Sequence, residues 1–180
     1  CYNKELATWI REQLSADSDR AAAAALVDVY HFHALAAEIA REAGLPFDPP
    51  TNIAAAQRFW DEDSVTILEA ACVSLFAAEV PRYGALVVDE AQDFAELWWY
   101  ALFPLVKDGE QGTIFVFMDV AQSLRSAASL PPMSFPARYE LNVNCRSTRR
   151  IAQMSARLVP LEAGSPAGAP DGVEVRMLRA

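Results

Sequence analysis

Apolar residues in the first half of the chain recur at helical spacing. Leu6, Trp9, Ile10 and Leu14 share one side of a helix predicted over residues 4–14, after an entry at Cys1-Tyr2-Asn3 that reads as the end of a strand. Residues 27–30 form a short β-prone run, and residues 34–43 form a helix that Gly44 stops, with Pro46 just beyond. Three prolines make residues 45–51 a loop. Residues 52–60 give a weaker helix and residues 64–79 a stronger one, with Val65, Leu68, Ala71, Cys72, Leu75 and Phe76 on one side.

The rhythm changes after Pro81. Ala85-Leu86-Val87-Val88 is a continuous apolar run ending in Asp89-Glu90, the pattern of a strand buried on both faces. A helix over 94–106, ended by Asp108-Gly109, leads to a second such strand over 113–118 that ends in Asp119. Beyond a proline-rich loop over 129–136, the pattern predicts a third strand over 139–143 and a helix over 147–158. A linker over 160–172 and a closing strand over 173–178 complete the chain. Strands alternating with helices indicate an α/β fold with a parallel sheet.

Composition fits a folded domain: 180 residues, 53% hydrophobic and 22% charged. Apolar runs stay far below the ~18–20 residues needed to span a bilayer, so no membrane partner is expected. Cys1, Cys72 and Cys145 are odd in number and widely spaced, which implies neither a disulfide framework nor a Cys-based zinc site and makes a reducing cytoplasm the expected compartment. An opening on Cys1 points to a chain cut from a longer one. Net charge of −9 opposes a surface that binds nucleic acid wholesale. Even so, Arg138, Arg146, Arg149, Arg150 and Arg157 face a single acid, Glu140, over 138–157, so a local basic patch remains open.

The chemistry is written at the strand ends. Asp89, Glu90 and Asp119 fall at the carboxyl edge of the expected sheet, where open α/β folds bind ligands. An Asp directly followed by Glu suits nucleotide hydrolysis: one carboxylate holds Mg²⁺ and the other accepts a proton from attacking water. Gln92 and Gln122 each follow a strand-end Asp by three residues and offer amides to phosphate oxygens or to that water. An acid after a strand is also a common helix cap, a role open to Asp93. His31 and His33 have a spacing that can bind metal but no accompanying ligands in sequence. Trp98, Trp99 and Tyr100 suit core or interface packing better than a stacking platform.

The segment from Tyr83 to Phe94, with Asp89-Glu90-Ala91-Gln92-Asp93 at its heart, resembles motif II of superfamily 1 helicases of the UvrD/Rep type. Residues 115–124 resemble motif III, with Met118 in place of the usual glycine and Leu124-Arg125 where an aromatic is expected. Leu141-Asn142-Val143-Asn144-Cys145-Arg146-Ser147-Thr148 resembles motif IV. Weaker matches at Cys1-Tyr2-Asn3-Lys4 and Tyr30-His31-Phe32-His33 resemble motifs Ia and Ib, so the resemblance runs in order along nearly the whole chain.

That resemblance implies an incomplete RecA-like P-loop NTPase core, three-layer α/β/α, over 1–143, and the crossing into a second motor domain over 144–180. It implies ATP and Mg²⁺, with Asp89 and Glu90 at the metal and Glu90 as the base that activates water. Gln122 senses the γ-phosphate, Arg146 stabilises its developing charge, and Gln92, Asp93 and Asp119 line the nucleotide side. Tyr2, Asn3, Phe32 and His33 lie towards a single-strand track, and the partners are single-stranded DNA, duplex junctions and the remaining domains of the motor. No GxxxxGK[ST] loop occurs in the chain, which is expected to begin just downstream of one. A degenerate helicase-like binding module is the alternative reading.

Overall fold

The computed structural model describes residues 3–16, 19, 21–76, 81–119, 132–141, 143–158 and 168–174, and the chain forms two compact units, Cys1–Met133 and Ser134–Ala180. The division falls ahead of the expected 143/144 boundary. Residues 134–141 carry no strand, and Tyr139 and Leu141 are 90% and 93% exposed, so the third strand predicted over 139–143 does not form over 139–141; Asn142 lies outside the described residues and Val143 makes an isolated β-bridge. Val173 and Glu174 are likewise not in a strand, and 175–178 lie outside the described residues.

Unit 1 is mixed α/β. Its helices are α1 (Lys4–Ala16), α2 (Ala21–Ala24), α3 (Phe32–Glu42), α4 (Ile53–Arg58), α5 (Ser64–Phe76) and α6 (Glu96–Leu102), and its strands are β1 (Ala85–Val88) and β2 (Thr113–Val116). Asn3 starts α1 by accepting from the N–H groups of Glu5 at 2.8 Å and Leu6 at 3.3 Å. The β-prone run over 27–30 forms no strand; it leads directly into α3. Helix α3 buries Phe32, Leu35, Ala36, Ile39 and Ala40, a stripe of i, i+3, i+4, i+7 and i+8. It ends as expected at Gly44, with φ of 70°. There Leu45 N–H reaches Ala40 O at 2.9 Å and Gly44 N–H reaches Arg41 O at 3.2 Å, the paired bonds of a left-handed helix stop.

Asn52 caps α4 through Ala55 N–H at 3.1 Å. Between α4 and α5 the helix widens into a π turn over Phe59–Asp63, which no periodicity announces. Helix α5 packs Val65, Leu68, Ala71 and Cys72 against the α3 stripe. Phe32 stacks flat on Trp98, with centroids 4.1 Å apart and planes 1° from parallel, and Phe94 meets both rings edge-on. Trp98 and Trp99 are fully buried, as core packing requires. The helix expected over 94–106 is shorter at both ends. Phe94 and Ala95 are extended, and Pro104, which has no N–H to donate, coincides with a 3₁₀ turn over Phe103–Leu105.

Strands β1 and β2 pair in parallel, with Ala85, Leu86, Val87 and Val88 opposite Thr113, Ile114, Phe115 and Val116. Tyr83 extends the link through Tyr83 N–H to Leu105 O and Lys107 N–H to Tyr83 O, both 2.9 Å. The Arg82 guanidinium ties this entry to the end of α3 through Glu42 at 2.6 Å. The sheet is not buried on both faces. Leu86, Val88, Ile114 and Val116 turn to the core, whereas Val87 and Phe115 are 59% and 55% exposed.

Unit 2 is built on α7 (Arg149–Leu158). Arg149 N–H bonds Pro170 O and Arg150 N–H bonds Asp171 O, so residues 170–171 close the helix start. Gly172, with φ of 74°, lies so close to Thr148 that an added Cβ would come within 2.4 Å of its hydroxyl.

In unit 1, an added Cβ on Gly112 would sit 2.2 Å from Lys107 O, a backbone atom that cannot step aside, while one on Gly84 meets nothing within 4 Å. Gly112→Ala should therefore cost roughly 1–3 kcal/mol, and Gly84→Ala should be near neutral. Urea midpoints of the two variants measure the difference.

Candidate nucleotide site at the strand ends

Two hydrogen bonds carry the parallel ladder past the ends of β1 and β2. Phe117 N–H donates to Val88 O at 2.8 Å, and Ala91 N–H donates to Phe117 O at 3.0 Å. They bring the turn after β1 beside the segment after β2. Asp89 and Glu90 are half-buried at this edge, and the 3₁₀ turn Ala91–Asp93 comes next.

Gln92 is 1% exposed and joins the two strand ends. Its Nε2 donates to Glu90 Oε2 at 2.6 Å, and its Oε1 accepts from Asp119 N–H at 2.9 Å. A carboxylate on one side and an N–H on the other fix the amide in one orientation. Asp93 is also buried, at 6% exposure, with its N–H bonded to Glu90 O at 3.1 Å. The capping alternative for Asp93 does not hold: α6 begins at Glu96 with Ala95 at its N-cap position and no side-chain cap. The sequence-predicted Asp89, Glu90, Gln92, Asp93 and Asp119 therefore converge. Gln122 and Tyr2 lie outside the described residues. Arg146 belongs to unit 2, where it is exposed and its N–H bonds Asn144 Oδ1 at 3.1 Å.

Glu90 has φ of 54° and ψ of 42°, the left-handed region that a non-glycine residue enters at a cost. No residue pattern signals this conformation. It turns the chain sharply between β1 and the 3₁₀ turn.

Of the residues expected near a DNA track, Asn3 is exposed and caps α1, whereas Phe32 is 3% exposed with its ring against Trp98. Phe32 thus packs the core in place of offering a face to a base. His33 lies edge-on to Trp60, Trp98 and Phe32, and its Nε2 meets Trp60 O at 2.9 Å. That carbonyl is in the π turn and also accepts from Ser64 Oγ at 3.0 Å. Burial is the main force holding His33 below its ordinary value, partly offset by the Trp60 bond and the charge of Asp61. Burial likewise lowers His31, with His33 and Lys4 adding to the effect. Burial pushes the Cys72 thiol up to about 11, which removes it as a nucleophile at neutral pH.

Among the described residues no group of three or more His, Cys, Asp or Glu side chains could hold a metal ion. Mg²⁺ at a phosphate site needs only one or two carboxylates besides substrate oxygens and water, and Asp89 with Glu90 meets that demand. No helix among the described residues is long and apolar enough to cross a membrane. No family model, curated protein or solved structure matches the chain.

These geometries carry two expected outcomes. Glu90→Ala and Glu90→Gly lose the same carboxylate and differ only in backbone freedom. At a left-handed position the glycine variant should be the more stable by about 1 kcal/mol, the reverse of the usual order, as read from paired denaturation curves. For His33 the folded value lies below the unfolded 6.5, so the unfolded chain binds the proton first as pH falls. Its contribution to stability is complete above 6.5 and declines below it until the folded value is passed. His33→Gln keeps a donor for Trp60 O without titrating. Its stability should fall less than that of the wild type between about pH 7 and pH 5, measured by urea midpoints at both.

Proposed function

We propose that this chain is part of an ATP-driven motor of the superfamily 1 UvrD/Rep type, with a RecA-like core, moving on single-stranded DNA. The observation that carries the reading is the convergence of Asp89, Glu90, Gln92 and the Asp119 backbone at the carboxyl edge of a parallel strand pair. Motif II, motif III and motif IV resemblances in one order support it.

In this reading Asp89 and Glu90 would hold Mg²⁺. The ion, when bound, supplies positive charge against the phosphate oxygens. Glu90 takes the proton of the water that attacks the γ-phosphate, and the P–O bond to the leaving diphosphate breaks. Gln92 holds the Glu90 carboxylate by its amide, so the base is oriented before substrate arrives. Gln122 reports on the γ-phosphate, and Arg146 neutralises charge developing there. Asp93 and Asp119 complete the nucleotide side. Tyr2, Asn3 and His33 are the remaining residues proposed for the DNA side, and Phe32 supports His33 from the core.

The chain has no GxxxxGK[ST] loop, the element that cradles β- and γ-phosphates. This favours a second reading, a helicase-like module that engages DNA or protein without turnover. It also means that the 180-residue chain alone should hydrolyse ATP negligibly.

The full-length protein and its Glu90→Gln variant distinguish the two readings in an ATPase assay with and without single-stranded DNA. The motor reading expects DNA-stimulated, Mg²⁺-dependent turnover that drops by ~10²–10⁴-fold in the variant. Equal turnover in the two proteins removes Glu90 as the base. Absence of turnover in both leaves the passive module.

A further inference from the structure

Charge is divided unequally between the two units. Cys1–Met133 carries eight basic and twenty acidic residues, net −12, whereas Ser134–Ala180 carries seven arginines and four acids, net +3. Such asymmetry within one chain marks where a polyanion can approach and where it is repelled.

Most other described arginines are committed to acids. Arg41 pairs with Glu38, Arg58 with Glu62, Arg82 with Glu42, Arg138 with Glu140, and Arg149 with Asp171. Arg149 also donates to Ala169 O at 3.1 Å, so it fastens α7 to the segment that closes its start. Its neighbour Arg150 joins that segment only through its backbone N–H, and its guanidinium makes no such bond among the described residues. Arg150 and Arg157 are exposed, and among the described residues neither has an acid within ion-pair distance.

These two arginines are seven residues apart, two turns of helix, and Gln153 lies between them at i+3, also exposed. The three share one stripe of α7, with the guanidinium-bearing positions roughly 10 Å apart along the axis. An ordinary solvated helix alternates charge sign along its face. This stripe holds two cations and an amide, and no acid.

We propose that the Arg150–Gln153–Arg157 stripe of α7 is a docking surface for the phosphate backbone of single-stranded nucleic acid. The proposal deepens the proposed function by placing its nucleic-acid partner on unit 2, and rests on that reading for the partner's identity. Guanidinium groups clasp phosphate oxygens through charge-assisted hydrogen bonds, and the Gln153 amide adds a neutral donor. Contacts of this kind carry no base preference. The acidic unit 1 offers no comparable charge to phosphate, so the salt-sensitive part of binding rests on this stripe, beside the uncharged contacts proposed for Tyr2, Asn3 and His33.

Fluorescence anisotropy of a dye-labelled dT oligonucleotide of about 16 nucleotides, titrated with the full-length protein over a salt series, tests the proposal. Removing one arginine–phosphate pair lowers the log–log salt slope by about 0.7 for a single strand. Arg150→Gln with Arg157→Gln removes two such pairs, so it should lower the slope by about 1.4 and weaken binding at low salt. Arg150→Lys with Arg157→Lys should retain the slope, which separates loss of charge from loss of fold. Arg41→Gln with Arg58→Gln, on unit 1, should leave both readouts unchanged. An unchanged slope in the glutamine pair overturns the proposal. So does polyglutamate that competes as well as unlabelled dT, which would assign the face to an acidic protein. ATPase activity measured alongside keeps the two ideas apart: dT binding that needs these arginines, with no turnover, removes the motor and leaves the docking surface.

Discussion

Parallel pairing of β1 with β2 is the constraint on which the candidate site depends. Two four-residue strands cannot hold a site by themselves, because a two-stranded sheet is marginal in water. Here the pair is anchored at both ends. Below, Tyr83 exchanges bonds with Leu105 and Lys107; above, Val88, Phe117 and Ala91 continue the ladder into the loops. Between these anchors Leu86, Val88, Ile114 and Val116 rest on a core supplied by α3, α5 and α6. Because the register is fixed, the acid-bearing turn after β1 and the segment entering Asp119 must meet. Gln92, buried between them, then serves both.

Much of this is legible in the residues. The apolar runs that end in Asp89 and Asp119 mark both strands, and the strand–helix–strand order sets their parallel sense. Asp89-Glu90 and the Asp89-to-Gln92 spacing mark the edge where Gln92 joins the two strand ends, while Gln122 lies outside the described residues. Helical stripes locate α3 and α5 within a few residues, and Gly44 marks a true helix stop. The rest is hidden for physical reasons. Glutamate gives no signal of left-handed backbone, so the turn at Glu90 is invisible before the loop closes. An apolar run cannot say whether both its faces are covered, and here one is not. Phe32 stands between two histidines and reads as a surface motif, yet a ring that can stack on Trp98 gains more by burial. Residues 139–141 have strand composition but form no strand.

The aromatic cluster links the helices to the site. Phe94 directly succeeds Asp93 and packs between Trp98 and Trp99, so the 3₁₀ turn that carries Gln92 is pinned from its far end. Trp98 passes that support to Phe32 and His33 on α3, and His33 passes it to the π turn through Trp60. Perturbing α3 therefore reaches the site through packing, because close-packed interiors transmit strain.

The π turn over Phe59–Asp63 has a further consequence for the ancestry of this helix. A π turn holds one residue more than an α-helix needs, so it rotates α4 by about 100° relative to α5. Sequences that lack the extra residue would keep α5 and its apolar stripe while presenting a different side of α4. Alignment by periodicity across this point would slip by one position, and a relative could look unrelated upstream while sharing the same core downstream.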